Sequence, residues 1–389
     1  MYTFKYQIVL YAFAGSIMFC TVIQAQTVQD TLTKKEIRQQ KKQVKIEQGK
    51  PLVTPLAGPA YTPELGFTVA GTVMLSYKTN PKDSLIQRSS SPITFGISST
   101  GAIFFSSIVS SYWFQDKLRI YADLWYKDMP DHYWGAGYDN GFSKPKSDST
   151  TAYDRTWLWI NPRFLWQFRS SYFLGLNVDY NYTRASDPSE GVSLDPDYIK
   201  YGPENLNSGF GLILRYDSRD VPVNAWEGLY VDLRPTFYST VFGGDNNYQV
   251  YQVDLRKYFQ VTNPGKTLAL QFKSRIGVGD VPYGEMSQLG SPFDLRGYTW
   301  GRYRDKSMIF FLGEYRHMFN KSSGKLSRHG MVAWMGTGSV AETLSGFSNW
   351  LPNFGFGYRF EVQPRMNLRI DIGIGRETSG FYFNFNEAF

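Results

Sequence analysis

The sequence predicts an all-β protein, a transmembrane antiparallel β-barrel of about 16 strands. From Glu64 onward, apolar and polar residues alternate with a period of two, which places them on opposite faces of strands. Many candidate strands run 10–14 residues, whereas strands of soluble proteins average about 5–6 and a tilted membrane crossing takes about 9–11. Long and short connections alternate along the chain, which is typical of outer-membrane barrels.

Composition excludes the competing classes. Aromatic residues make up 17% of the 389 residues, too many for an intrinsically disordered chain, and one cysteine excludes a disulfide scaffold. Beyond the N-terminus no run of about 18 or more apolar residues occurs, as a helical membrane protein requires. Of the net charge of +7, residues 26–50 carry +4 and residues 51–389 only +2. A nearly neutral body predicts no nucleic-acid partner.

The N-terminal segment, residues 1–25, has the features of a secretory signal peptide. Lys5 supplies a positive charge, Ile8–Ile23 is an apolar run of 16 residues, and Ala25 is a small residue at a suitable cleavage position. A membrane-spanning or buried helix is the alternative. A lipid anchor on Cys20 is disfavoured because a bulky residue precedes it, and cleavage after Ala25 would leave a chain without cysteine.

Residues 26–63 are predicted to form a polar periplasmic tail and a proline-rich linker. Residues 26–50 are rich in Lys and Gln and contain too few apolar residues to anchor a packed helix. Proline then recurs at every fourth position and disfavours continued helix; these prolines are Pro51, Pro55, Pro59 and Pro63. The barrel is therefore predicted to occupy residues 64–389.

The alternation is clearest in Leu368–Gly375, where Leu and Ile alternate with Arg, Asp and Gly. A soluble β-sandwich would show this pattern with its apolar face inward, and a membrane barrel shows it with that face outward. Strand length and loop alternation favour the barrel. The 16 candidate strands include a short one at His132–Tyr138. Because this number is even, the start of the first strand and the end of the last strand both lie on the periplasmic side. The long connections, predicted to be extracellular, lie near residues 78–91, 139–153, 184–206, 239–248, 280–305 and 341–352.

The C-terminal residues alternate phenylalanine with polar or small residues and end in phenylalanine. This pattern resembles the C-terminal targeting signal of Gram-negative outer-membrane barrels. An ordinary edge strand is the alternative. The residues assigned to the signal are Phe381, Phe383, Phe385 and Phe389.

Residues 294–319 carry the most specific pattern. Asp294–Tyr298 contains the tripeptide Arg-Gly-Tyr before the predicted twelfth strand, and that strand contains Glu314. The turn Tyr216–Asp220 falls between the predicted eighth and ninth strands. Together these motifs resemble the BamA/TamA superfamily of outer-membrane insertases and translocators, the bacterial surface antigen family, over most of residues 64–389.

The resemblance implies a loop folded into the barrel lumen and held there by Arg296. Glu314 corresponds to the first acidic partner of the arginine, Gly297 lets the backbone turn tightly, and Tyr298 packs the loop. An arginine in a narrow lumen needs a carboxylate, although Arg296 as a solvated loop charge is the alternative. This sequence has Gly336 where the family has an acid on the next strand, so a second acidic partner is not assigned.

The resemblance also implies a function. Residues 26–63 are too few and too polar for the periplasmic POTRA domains of typical members, so a short, barrel-only member is expected. It would assist assembly or translocation of proteins or lipids, with outer-membrane lipids, a protein carrying periplasmic modules or other assembly components as partners. A passive channel or structural barrel is the alternative. No cofactor, metal site or enzymatic activity is expected, because His132, His317 and His329 form no catalytic or metal-binding pattern.

Overall fold

A computed structural model describes residues 34–62, 66–83 and 86–389 of the chain. The predicted signal peptide, residues 1–25, lies outside the described residues. Among these residues, no helix is both long and apolar enough to cross a membrane. The helices are α1 (Lys34–Glu47), α2 (Tyr138–Ser143), α3 (Glu190–Ser193) and α4 (Pro196–Tyr201), with single 3₁₀ turns at Thr240–Phe242 and Leu344–Gly346.

Sixteen of the strands form one antiparallel barrel, as predicted. They are β1 (Leu52–Thr62), β2 (Gly66–Tyr77), β3 (Ser89–Ser98), β4 (Ile103–Trp113), β5 (Leu118–His132), β6 (Ala152–Arg169), β7 (Tyr172–Ser186), β8 (Glu204–Asp217), β9 (Gly228–Tyr238), β10 (Tyr248–Gln260), β11 (Lys266–Gly279), β14 (Ser307–Asn320), β15 (Leu326–Ala341), β16 (Leu351–Gln363), β17 (Met366–Ile374) and β18 (Ser379–Phe385). Two short strands, β12 (Ser287–Gln288) and β13 (Arg304–Asp305), pair with each other outside the barrel sheet.

The two faces of the sheet differ in chemistry. Along β7, Leu174, Leu176 and Val178 are exposed, whereas Asn177 and Asp179 are buried. Polar side chains are therefore turned inward and apolar ones outward, the reverse of a soluble protein. This is the arrangement that a barrel surrounded by lipid requires.

The barrel closes unevenly between its first and last strands. β1 pairs with β2 at 11 successive positions, whereas among the described residues it pairs with β18 only at Tyr61 opposite Phe381. We call this contact the β1–β18 seam. A poorly paired edge leaves backbone hydrogen-bonding groups, above all carbonyl oxygens in β1, available to another strand.

Two strand assignments made from the sequence differ from the structure. The predicted strand at His132–Tyr138 is wrong, because β5 ends at His132 and the positive φ angles of Gly135 (95°) and Gly137 (92°) break the extended chain. Conversely, β1 lies in the segment that proline spacing predicted to be a linker. The total of 16 barrel strands still agrees with the prediction, because the one strand predicted wrongly is balanced by the one strand, β1, that was not predicted.

The same two differences change the barrel end at which the first connections lie. Consecutive antiparallel strands connect at alternate ends, so the β2–β3 and β6–β7 connections share one end. The β5–β6, β7–β8 and β11–β14 connections share the other end. The prediction grouped residues 78–91 with the long loops, whereas this segment lies at the end where the chain turns at residues 170–171.

Candidate functional site

The connection between β11 and β14, residues 280–306, is the longest in the barrel, and we call it the long loop. Its strands β12 and β13 pair through Ser287 with Asp305 and Gln288 with Arg304. Most of its side chains are buried. Because a loop exposed to water would keep polar side chains accessible, this burial indicates that the loop contacts the barrel wall along much of its length.

Arg296 lies at the centre of these contacts and is completely buried. Its Nη1 donates a hydrogen bond of 2.7 Å to Oδ2 of Asp371 on β17, and its Nη2 donates to Oε1 of Glu314 on β14. The guanidinium carbon lies 3.5 Å from the ring centroid of Trp334 on β15. One side chain of the long loop therefore contacts three barrel strands.

Three further arginines extend this network. Arg316 donates from Nε to Oε2 of Glu314 at 3.1 Å. Arg359 donates from Nη1 to Oδ1 of Asp371 at 2.6 Å, and Arg369 lies 3.5 Å from the same carboxylate. Each carboxylate is thus shared between the loop arginine and an arginine of the wall.

Glu387, beyond the end of β18, is the third carboxylate of the network. It accepts a hydrogen bond of 2.8 Å from Nε of Arg359 and one of 2.7 Å from the Asn367 amide. We call these side chains the arginine network: Arg296, Arg316, Arg359, Arg369, Glu314, Asp371 and Glu387.

Electrostatics keep the loop arginine charged despite its burial. Desolvation opposes the charged form of Arg296, but Glu314 and Asp371 outweigh desolvation and raise the pKa of its guanidinium above the usual range. Removal of one partner from such a buried pair leaves an uncompensated charge, which typically costs about 3–5 kcal/mol. The position of the long loop is therefore coupled to the acids of β14 and β17.

Gly297 allows the loop backbone to approach the wall. Its φ of 110° is accessible to glycine but not to other residues without strain. A Cβ at this position would lie 2.7 Å from backbone atoms of Gly373, Ile374 and Gly375 on and beyond β17. The Gly297 N–H donates to the Tyr382 hydroxyl at 2.9 Å, so the close approach also satisfies a buried donor.

Hydrogen bonds of Tyr298 and Asn353 also hold the Arg-Gly-Tyr segment of the long loop against the barrel wall. The Tyr298 hydroxyl donates to the Pro352 carbonyl at 2.7 Å and accepts from the Arg376 N–H at 3.0 Å. The Asn353 amide donates to the carbonyl of Arg296. All three residues of the Arg-Gly-Tyr motif thus contact β16, β17 or the connection that follows β17.

The structure places the three predicted loop residues against the barrel wall, with Arg296 in contact with the predicted Glu314 of β14, and it adds an acid that the sequence did not assign. Arg296 contacts Glu314, as the resemblance implied, and its second partner is Asp371, two strands beyond the position of Gly336. A Cβ at Gly336 would lie 2.4 Å from Leu312, so this position has no room for an acid in the present packing. The sequence did contain a signal for this second acid, because Asp371 lies on the polar side of the clearest alternating segment.

The phenylalanines assigned to the targeting signal occupy two environments. Phe381 is exposed on the outer face of β18, and Phe383 and Phe385 follow it at alternate positions. The chain then turns at Asn386, whose φ is 61°. Phe389 is buried, with its carbonyl accepting a hydrogen bond of 2.8 Å from Arg316. The targeting role remains a prediction.

Comparison with known proteins identifies similar folds. A family model described as the Omp85 superfamily domain matches residues 86–389. The structure is similar to the crystal structure of BamA from Haemophilus ducreyi lacking POTRA domains 1-3, with a TM-score of 0.53, 10% identity and coverage of 92% of this chain and 78% of that chain. No curated protein matches the chain in sequence.

Two CdiB structures show the same likeness. CdiB from Acinetobacter baumannii has a TM-score of 0.52 and 12% identity, with 86% of this chain and 59% of that chain covered. CdiB from Escherichia coli has the same score, identity and coverage of this chain, with 61% of its own length covered. This chain therefore spans less than two thirds of the CdiB chains. At 10–12% identity, these similarities show a shared fold.

Proposed function

The chain belongs to the Omp85 superfamily, and from this premise we propose that it assists the assembly or translocation of proteins or lipids at the outer membrane. The resemblance to BamA/TamA proteins is confirmed, and the described residues contain no POTRA domain. An Omp85 barrel implies the outer membrane of a Gram-negative bacterium, and members of the superfamily are transporters or insertases and not enzymes. In this proposal the N-terminal tail is periplasmic and the loops on the side of the long loop are extracellular.

The contact of Arg296 with Glu314 and Asp371 carries the proposal. A passive barrel needs no fully buried arginine shared between a loop and two strands, since a buried ion pair often contributes less stability than apolar side chains of similar volume. We infer that the long loop folds into the lumen and that the arginine network holds it there. The loop then restricts the pore and braces β14–β18, the strands that lead to the seam.

The β1–β18 seam supplies an exit toward the membrane in this proposal. In the described part of the chain one residue pair joins the two strands, so few backbone hydrogen bonds must be broken to expose their edges. An incoming strand could pair with either edge by β-augmentation. In this proposal a partner protein with periplasmic modules delivers the substrate.

A reversible cross-link across the seam tests this function. Tyr61→Cys with Phe381→Cys places two thiols at the one paired position, and the oxidised barrel should lose complementation of a strain lacking the gene, with recovery after reduction. Val53→Cys with Leu75→Cys, a pair between β1 and β2, is the matched control and should remain active. Full activity of the oxidised Tyr61/Phe381 variant would contradict the proposal.

Conductance separates this function from a passive channel. If the loop occupies the lumen, purified barrels in a planar bilayer should show small, unsteady conductance. The Arg296→Ala variant should show a larger pore. A large, steady conductance in the unsubstituted barrel would favour the channel instead.

Pull-down of the membrane-embedded protein would identify a partner that carries periplasmic modules.

A further inference from the structure

The barrel contains a cavity of about 560 Å³. Of the arginine network, only Glu387 lines this cavity. Most of its lining comes from the inward faces of β5–β11 and from the long loop, and β4, β14 and the C-terminal segment contribute most of the remainder. Many of the lining side chains are basic or aromatic. The basic side chains at its centre decide what the cavity can bind.

Two aspartates on neighbouring strands hold three of these bases. Asp232 on β9 accepts from Nε of Arg215 at 2.8 Å and from Nη2 of Arg234 at 3.0 Å. Asp254 on β10 accepts from Nε of Arg256 at 2.9 Å. The two aspartates are direct register partners across β9 and β10. Three cations therefore share two anions along this wall.

Lys273 and Arg163 add two more cations. Lys273 lies opposite Asp254 in the β10–β11 ladder, but that carboxylate is already engaged by Arg256 and by the Gln271 amide at 3.0 Å. Within the described part of the chain, the Lys273 ammonium makes no hydrogen bond and no salt bridge, and Asp254 and Asp294 act on it only through longer-range charge interactions. Arg163 on β6 pairs with Asp123 at 2.7 Å.

We call these five bases and three acids the lumen cation cluster. Its members are Arg163, Arg215, Arg234, Arg256, Lys273, Asp123, Asp232 and Asp254, so its side chains carry two positive charges in excess. The Nε atoms of Arg163 and Arg234 are buried without a hydrogen-bond partner among the described residues. Unpaired buried donors are costly, and the excess positive charge around them favours an anion in the cavity.

Further acids also line the cavity and enter its charge balance. Asp294 accepts from the backbone N–H groups of Gly290 and Ser291 at 2.8 and 2.9 Å. Asp179 accepts from the Trp159 indole at 3.1 Å, and Glu387 belongs to the arginine network. Counted over every charged side chain that lines the cavity, nine bases stand against seven acids, so an excess of two positive charges remains.

We propose that the lumen cation cluster binds the phosphate group of a phosphorylated ligand. A phosphate monoester dianion matches the excess of two positive charges, and its oxygens accept from guanidinium forks and an ammonium together. The cavity exceeds the volume of one phosphate, so an organic group fits beside it against Trp157 and Trp159, whose rings stack at 5.9 Å. The ligand is a soluble phosphate ester or a lipid phosphate. This inference does not rest on the proposed assembly function.

Titration calorimetry on the purified full chain in a zwitterionic detergent tests the proposal. The probes are inorganic phosphate, glucose 6-phosphate and dihexanoyl phosphatidic acid, with glucose as the uncharged control. The phosphorylated probes should bind and glucose should not. Binding of glucose 6-phosphate alone would assign a soluble ester, and binding of the phosphatidic acid alone a lipid. No binding of any phosphorylated probe would overturn the proposal.

Lys273→Met removes the unpaired ammonium and should weaken phosphate binding about tenfold or more, because charge-assisted hydrogen bonds are lost. Lys257→Met is the matched control, since Lys257 lies on β10 beside Arg256 but is exposed on the outer face. Lys273→Arg should restore binding. If Lys273→Met does not fold, ligand stabilisation of the unsubstituted barrel gives a second measurement. Equal affinity in the Lys273→Met and unsubstituted barrels, or an unchanged unfolding temperature with saturating phosphate, would contradict the assignment.

Discussion

Arg296 and Asp371 form a salt bridge of 2.7 Å, and neither side chain is exposed to solvent. The residues are 75 positions apart, so this contact joins the long loop to the penultimate strand of the barrel. Asp371 also accepts from Arg359, which in turn donates to Glu387 beyond the last strand. A displacement of the long loop would therefore disturb the strands next to the β1–β18 seam.

Asp371→Asn should destabilise the barrel while conserving the shape of the side chain. It removes the one carboxylate shared by Arg296, Arg359 and Arg369, and loss of one partner from a buried ion pair typically costs about 3–5 kcal/mol. The unfolding transition measured by heat-dependent gel mobility should move to lower temperature, and protease should cut the long loop faster. Glu342→Gln is the control, because its pair with Lys306 is largely exposed and should change little. Equal effects of the two substitutions would contradict the assigned role.

Gly297→Ala should release the loop from β17. The φ of 110° alone costs about 1–2 kcal/mol for a residue with a Cβ, and contact with backbone at 2.7 Å adds to this cost. Protease sensitivity of the long loop measures the release. Gly202→Ala is a matched control, because its φ is 74° and nothing lies within 4 Å of its Cβ position, so it carries the strain without the clash. The prediction fails if Gly297→Ala is no more disruptive than Gly202→Ala.

The sequence predicted the loop motif better than it predicted the first strand, and the reason is physical. Arg296 and Glu314 follow local motifs with a fixed position relative to β14, so their encounter could be expected. Asp371 needs knowledge of which distant strand faces the loop, and a single sequence does not contain it. β1 was missed because Pro55 and Pro59 normally interrupt strands, although a strand at a poorly paired edge tolerates them.

Pro55 and Pro59 should weaken the seam, and their replacement should strengthen it. Both have the same parity on β1, so their missing N–H groups lie on one edge. Because proline is tolerated where the donor is not needed by the ladder and β1 pairs continuously with β2, that edge is the one facing β18. Pro55→Val with Pro59→Val restores two donors and should slow amide hydrogen exchange in β18. Ala57→Val on the same face already has its donor and is the control, and unchanged exchange in the proline variant would refute this explanation.

Glu285 should make the stability of the barrel depend on pH. Burial in the long loop, reinforced by Asp179 and opposed by Arg275 and Arg155, raises the pKa of Glu285 from 4.5 to about 8. An acid with a raised pKa in the folded state keeps its proton after the unfolded chain has released it. The protonated Glu285 carboxyl therefore contributes its full share to the free energy of unfolding below about pH 4.5, and this share is lost as the pH rises through 8.

Thermal unfolding of the full chain in detergent at pH 5, 7 and 9 measures this decline. Glu285→Gln cannot ionise, so its unfolding temperature should fall less between pH 5 and 9 than that of the unsubstituted barrel. Asp280→Asn is the control in the same loop, because Asp280 is exposed, pairs with Lys200 at 2.6 Å and has a lowered pKa caused by that lysine. It should retain the full decline. Parallel pH profiles for Glu285→Gln and the unsubstituted barrel would show that this carboxyl does not couple the loop to pH.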